Sequence, residues 1–233
     1  MATTTRNSLN TPTGRCAVMA FSAGTPPSMA AFMSGMDGVR QSRNRKPQLG
    51  WELYVPSEMA VAAFERLTEA GQESAPQLAG YYAIESLRLE KGYRAFGREL
   101  GPDTSPVEAG LGFTCKLGTA IPFRGREAVE KHKAQGVSRR LVSLVVSDPA
   151  ACAWGGELLL RDDEPAGFAS SAAFGHTLGR TVLLGYVERR DGGQADRAWI
   201  SQGTYHVAIG GERYEASVSL KPPYDPSGMR IRA

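Results

Sequence analysis

Glu52 is the carboxylate whose setting points most directly to chemistry. It alternates with Trp51, Leu53 and Val55 in QLGWELYVP, residues 48–56, the pattern of a half-buried strand. A carboxylate at a strand end can accept two parallel hydrogen bonds from a planar N–C–N donor, such as an amino-pyrimidine edge. The same alternation also describes the wet face of an ordinary strand. A second charged group lies in SLRLEKGYRAFGREL, residues 86–100. There Arg88 and Glu90 occupy what reads as a helix, with Glu85 one turn before Arg88 and within reach of an ion pair. On a surface such a pair is worth under about 1 kcal/mol; turned inward, Arg88 would instead support a binding site. Tyr93, Arg94 and Arg98 in the following turn offer an aromatic face and two cations to an anion. Tyr224, in PPYDPSGMRIR near the end of the chain, reads as part of a proline-fixed strap.

Other chemistries find no footing. His132, His176 and His206 are isolated, with no metal-ligand spacing, and no Ser/His/Asp or Cys/His set can be assembled. Gly110-Leu111-Gly112 lacks the third glycine of a dinucleotide fingerprint. Cys16, Cys115 and Cys152 are odd in number, far apart and without CxxC spacing, which argues for a reducing compartment and against a disulfide scaffold. Formal net charge is +3 over 233 residues, but residues 1–47 hold six basic residues and one acidic, leaving 21 against 23 in the remainder. The body is therefore close to neutral, and nucleic-acid binding gains nothing from its charge. No apolar run reaches the roughly 18–20 residues of a membrane span.

The elements that must position these groups can be read in order. With 42% hydrophobic and 22% charged residues, the chain has the composition of an ordinary globular protein. Residues 1–36 hold no Asp or Glu and are rich in small and polar residues, as expected of a disordered leader or an organellar transit peptide. Residues 40–46, RQSRNRK, read as a solvated linker. A strand is expected over 48–56, closed by Pro56. A helix capped by Ser57 follows, with Ala60, Ala63, Phe64, Leu67 and Ala70 at helical spacing up to Gly71. A second helix runs from about Gly80 to Lys91, its core side carrying Ala83, Ile84 and Leu87 and its stop at Gly92. Ser105, Pro106 and Glu108 form a capping-box pattern, residues 113–121 can make a strand, and 126–135 read as an exposed linking helix. After Gly136 come six short β-like runs over 140–147, 157–161, 167–171, 181–188, 204–209 and 212–220, split by turn residues, with a tight hairpin at Gly210-Gly211. These imply a small antiparallel barrel or sandwich.

The order of parts in ESLRLEKGYRAFGRELGPDTSPVEAGL, residues 85–111, closely resembles the joining segment of glycine cleavage T-protein-like aminomethyltransferase modules. The version in the C-terminal part of sarcosine and dimethylglycine dehydrogenases is the most similar. The resemblance runs from Leu49 nearly to the end. It implies an α+β fold: a truncated ferredoxin-like α/β layer followed by a small antiparallel β-barrel. The domains would be a leader at 1–47, a partial folate-binding region at 48–136 and the barrel at 137–233. The implied ligand is tetrahydrofolate, with Glu52, Trp51, Arg88, Tyr93 and Tyr224 as binding residues. LGWE, Leu49 to Glu52, resembles the second half of the family's G-E-x-G-x-E motif, although Pro47 and Gln48 stand where Gly-Glu is usual. Arg94 and Arg98 would face the anionic glutamate tail. The family's catalytic Asp lies upstream of the matched region, and Asp37, in unmatched sequence, cannot take that role. No FAD site is expected in this chain, so a flavin dehydrogenase domain or subunit is the implied partner. The implied location is the mitochondrial matrix in a eukaryote and otherwise the cytoplasm. One-carbon transfer to folate is the implied activity, with this chain an incomplete part of the machinery, lacking the FAD domain and the catalytic Asp, and expected to be weakly active or inactive alone. The alternative is a non-catalytic regulatory module, as in the pyruvate dehydrogenase phosphatase regulatory subunit. An α/β layer without its usual flanking strands is expected to be a shortened, partly exposed sheet.

Overall fold

The computed structural model describes residues 2–3, 9–11, 14–22, 40–43, 50–72 and 78–229; the side chains of residues before 53 and of Tyr54 lie outside the description. The chain divides into two compact units, residues 1–84 with 228–233, and residues 85–227.

The first unit is built on a sheet. Its strands are β1 (Ala2–Thr3), β2 (Leu9–Thr11), β3 (Gly14–Ser22), β4 (Arg40–Arg43), β5 (Gly50–Pro56) and β6 (Leu78–Ala79). The order is β4-β5-β3-β1-β6, with β2 also on β3. The expected strand over 48–56 is β5, and it is an interior strand: Glu52 stands opposite Ala20 of β3 on one side and Ser42 of β4 on the other. Both neighbours fall in the stretch expected to be leader and linker. Leu53 and Val55 are buried, as their alternation requires. A single 3-10 turn, Ser57–Met59, leads into helix α1 (Ala60–Ala70), which buries Ala60, Ala63 and Leu67. Ser57 makes no side-chain cap because it is already inside that turn.

The second unit is a closed six-stranded antiparallel barrel in the order β10-β7-β12-β11-β8-β9, so the chain is α+β as the resemblance implies. Its strands are β7 (Arg139–Val146), β8 (Leu158–Arg161), β9 (Glu164–Gly175), β10 (Arg180–Glu188), β11 (Tyr205–Ile209) and β12 (Glu212–Ser219). The inside is filled by Val142, Leu144, Val146, Leu159, Leu183, Val187, Tyr205 and Val207 with small alanines between them. Gly210 and Gly211, both at positive φ, make the expected β11–β12 hairpin. Asp162 and Asp163, also at positive φ, turn β8 into β9. Closure leaves no open edge for another chain to pair with.

Helix α2 (Tyr81–Glu90) corrects one expectation. Its buried residues are Glu85, Ser86, Arg88, Leu89 and Glu90, whereas Leu87, assigned to the core side, is 45% exposed. The helix buries its charged face because those charges find partners. Leu89, fully buried, joins Leu141, Val182 and Leu184 in a second apolar cluster on the outer wall of the barrel. A second correction concerns residues 113–121. They form a 3-10 turn at Gly112–Thr114 and further turns instead of a strand, with Phe113 and Ile121 left exposed. Helix α3 (Arg126–Gln135) is exposed as expected, and a short helix α4 (Arg197–Gln202), capped by Asp196, was not foreseen. Among the described residues, no helix is long and apolar enough to cross a membrane.

Candidate functional site

The last turn of α2 carries Arg88 to the outer face of the barrel wall formed by β9 and β10. Here β9 has a bulge: Ala169 stands opposite Gly185 and Ser171 opposite Leu184, leaving Ser170 as the extra residue. A bulge re-aims side chains, and both Ser170 and Ser171 reach the carboxylate of Glu99. Ser170 Oγ donates to Glu99 Oε1 at 2.9 Å and Ser171 Oγ to the same oxygen at 2.5 Å. The other oxygen, Oε2, accepts from Arg88 Nη1 at 2.7 Å and from the Ala95 amide at 2.8 Å. Ser170 Oγ lies equally close, at 2.9 Å, to the Leu184 carbonyl, so its one proton is shared between the two acceptors, and a carboxylate that is 0% exposed has three committed donors and a part share in a fourth.

Arg88 is saturated too. Its Nε and Nη2 donate to Glu85 Oε2 at 3.0 and 2.6 Å, and Nη2 also to Ser171 Oγ at 2.7 Å. Nη1 donates to Glu99 and, at 3.2 Å, to the Tyr93 carbonyl. All five N–H groups are engaged, so in this arrangement none is left for a ligand. Arg88 is therefore not a surface ion pair but the centre of a buried hydrogen-bonded network. Tyr93 closes the helix by donating its amide to the Arg88 carbonyl at 2.8 Å. Arg98, with a side chain 40% exposed, lies 3.7 Å from Glu85.

Tyr186 on β10 ties this cluster to the following segment. Its hydroxyl donates to the Glu99 carbonyl at 2.8 Å, and the Arg139 guanidinium stands 4.9 Å from its ring centre. Burial pushes the phenol up to about 12 against the lowering effect of the Arg139 charge. A tyrosine with a raised folded pKa contributes stability that is complete below the ordinary value of about 10 and is lost as pH rises through the folded value. Allowing for partial exposure, about 2 kcal/mol should disappear between roughly pH 10 and 12. Urea unfolding across that range should show the wild type losing more stability than Tyr186→Phe. Parallel losses in the two would contradict the assignment.

The segment after Glu99 makes the expected capping box: the Ser105 amide donates to Glu108 Oε2 at 2.9 Å and the Val107 amide to Ser105 Oγ at 3.2 Å. Glu108 also meets Arg139 at 3.3 Å. On the other side of α2, the buried Glu90 carboxylate accepts from the Thr177 and Leu178 amides at 2.7 and 3.0 Å. The Glu90 carbonyl accepts from the Tyr224 amide at 2.9 Å. Lys91 pairs with Asp225 at 3.0 Å and stands 5.7 Å from the Tyr224 ring centre. The stretch holding Tyr224 is thus pinned to the end of α2, as a strap over the barrel would be.

Of the residues the sequence singles out, Arg88 and Tyr93 share one cluster and Tyr224 lies by Glu90 and Lys91. Glu52 and Trp51 sit on β5 in the other unit, with side chains outside the described residues. Glu99, Ser170 and Ser171 were not foreseen; no local signal links positions some seventy residues apart. His132 meets Ser105 Oγ at 2.9 Å and His176 packs edge-on to Phe174. No group of three or more His, Cys, Asp or Glu suited to a metal occurs among the described residues.

Comparison with known proteins places both halves. The family model for the GCVT N-terminal domain matches residues 47–119, and that for the glycine cleavage T-protein C-terminal barrel domain matches residues 139–225. The chain is 41% identical over 185 residues to mitochondrial sarcosine dehydrogenase of Mus musculus, an alignment covering 79% of this chain and 20% of that protein. It is 34% identical over 196 residues to the mitochondrial pyruvate dehydrogenase phosphatase regulatory subunit of Mus musculus, covering 80% and 22%. It is 38% identical over 138 residues to an aminomethyltransferase of Desulfitobacterium hafniense, covering 59% and 37%. The crystal structure of glycine cleavage system aminomethyltransferase T from Bartonella henselae shares the fold at a TM-score of 0.70 and 23% identity, over 91% of this chain and 60% of that one. The chain spans about a fifth of the length of the sarcosine dehydrogenase and regulatory-subunit relatives.

Proposed function

We propose, for a chain that belongs to the glycine cleavage T-protein family, that it binds tetrahydrofolate as the aminomethyltransferase-type region of a sarcosine or dimethylglycine dehydrogenase-like protein. The reaction served is one-carbon transfer from an N-methylated glycine derivative to the reduced folate. The observation that carries this reading is the ordered match of both domains, with β5 and its Glu52 inside the first. When bound, tetrahydrofolate supplies the amine nitrogens that accept the one-carbon unit. The chain's own contribution is to hold and orient. The Glu52 carboxylate would take the amino-pyrimidine edge through two parallel hydrogen bonds, with Trp51 beside it on the strand. Tyr93 and Tyr224 would offer aromatic contacts, and Arg88 would fix the α2 end through its bonds to Glu85, Glu99 and Ser171. The gain expected from such a site is proximity more than acid-base power. Oxidation of the N-methyl group would fall to a flavin dehydrogenase domain or subunit, and the setting would be the mitochondrial matrix in a eukaryote and otherwise the cytoplasm; the sarcosine dehydrogenase relatives are named as mitochondrial.

Isothermal titration of the purified protein with tetrahydrofolate should give saturable heat, weakened about ten- to a hundredfold by Glu52→Gln, the loss of a charge-assisted pair. Absence of heat in the wild type would overturn the reading. A regulatory role is the second reading, favoured by the regulatory-subunit relative that aligns with 80% of this chain. It predicts stoichiometric co-purification with an enzyme and no response to folate.

A further inference from the structure

The saturation of Arg88 makes its neighbours conspicuous. Arg94 donates Nε to the Ala109 carbonyl at 3.1 Å and Nη1 to the Gly92 carbonyl at 2.6 Å. Arg140, on β7, donates Nη1 to the Val107 carbonyl at 2.9 Å. Neither has a carboxylate partner among the described residues. The nearby acids are already committed, Glu99 to Arg88 and Glu108 to Arg139. Both Nη2 groups, without a hydrogen-bond partner among the described residues, converge on Gly110: a Cβ built there would lie 3.1 Å from Arg94 Nη2 and 4.0 Å from Arg140 Nη2. Gly110 is at φ +70 and has no side chain, which is what lets the Arg94 guanidinium pack against it and Arg140 approach the same point.

Both cations are half-buried and hydrogen-bonded only to neutral carbonyls. Burial lowers the pKa of both guanidiniums; at Arg94 the Tyr186 phenol and the Glu99 carboxylate act against that lowering and the charge of Arg140 adds to it. A fixed fork of N–H donors on each side suits an oxyanion that can reach both.

We propose that Arg94 and Arg140, whose Nη2 groups meet beside Gly110, form a binding site for one carboxylate group. The chemistry has two sources: a glutamate carboxylate of a folate, which rests on the function proposed above, or a free carboxylic acid, which does not. The site itself uses only residues of the second unit.

The test reads the arginine Nε–Hε resonances of the full chain while glutarate is titrated in. Arg94 and Arg140 should shift saturably, and Arg94→Gln and Arg140→Gln should each weaken the response about ten- to a hundredfold, the loss expected for a charged hydrogen bond. Arg94→Lys, which keeps the charge but not the fork, guards against a folding artefact, and thermal unfolding of each variant checks that the barrel is intact. The same variants are then titrated with tetrahydrofolate and with tetrahydropteroate, which lacks the glutamate. Tighter binding of tetrahydrofolate, with the difference erased in the Gln variants, assigns the site to the folate tail. A glutarate response with no difference between the two pterins assigns it to a free acid. A glutarate response with no pterin binding at all sinks the folate reading and leaves the carboxylate site standing. No saturable glutarate shift, or one untouched by both Gln replacements, overturns the proposal.

Discussion

Glu99→Ala should lower the unfolding free energy by about 3–5 kcal/mol, the usual cost of stripping one partner from a buried ion pair. Glu99 is wholly inaccessible and Arg88 is 9% exposed. Without the carboxylate, Arg88 Nη1 keeps only a 3.2 Å bond to the Tyr93 carbonyl and Ser171 loses its acceptor, while Ser170 falls back on the Leu184 carbonyl. The Ala95 amide loses its acceptor as well. Glu85 still faces Arg88 at 2.6 Å, which is why the expected loss is not larger. The mechanism separates from a simple cavity effect in a triple replacement. Glu85→Leu and Arg88→Met with Glu99→Leu remove the three buried charges together and should regain much of the stability that Glu99→Ala loses, because the desolvation cost disappears with the group. Equilibrium urea unfolding of the two variants decides the matter. If Glu99→Ala costs under about 1 kcal/mol, or the triple variant is no better than the single, the network is not holding α2 to the barrel.

That network also marks the limit of what the sequence conveys. Turn residues announced the barrel strand by strand: Gly210-Gly211 closes its hairpin and Asp162-Asp163 turns its corner. The Ser105 and Glu108 capping box formed as read. Alternation in β5 correctly buried Leu53 and Val55. The failures share one cause. Apolar periodicity equates a buried face with an apolar one, so it placed Leu87 inward on α2 when Glu85, Arg88 and Glu90 are the buried residues. Their burial depends on Glu99, Ser171, Thr177 and Leu178, partners that only the folded barrel wall supplies. Phe113 and Ile121 misled in the opposite direction, reading as strand when they are exposed among turns. The candidate site divides along the same line. Arg88 could be suspected from its motif, but that its donors would all be used internally, while those of Arg94 and Arg140 would not, followed only from distances.

Gly167→Ala is expected to cost about 3 kcal/mol or more, at the upper end of what overpacking a tight core does. In β9 Gly167 stands opposite Val187, and a Cβ there would overlap the Tyr186 carbonyl oxygen and lie 3.4 Å from the Val187 Cα. Those atoms are backbone, so no rotamer change relieves the contact; β9 and β10 must part. Gly185, on the facing strand, is as constrained, with a built Cβ at 2.7 Å from the Phe168 carbonyl oxygen, so the seam cannot yield on its other side either. Parting it disturbs the bulge at Ser170 and Ser171 and displaces Tyr186, whose hydroxyl holds the Glu99 carbonyl. Strain at Gly167 should therefore surface as loosening of α2 as well as of the barrel. Hydrogen exchange of the Tyr93 and Ala95 amides should accelerate along with that of the strand amides. Gly101→Ala is the control: nothing lies within 4 Å of a Cβ at that position, so its stability should change by under about 1 kcal/mol. Equal effects at Gly167 and Gly101 would mean that β9 and β10 are not pressed together at this seam, and that the geometry aiming both serines at Glu99 has another origin.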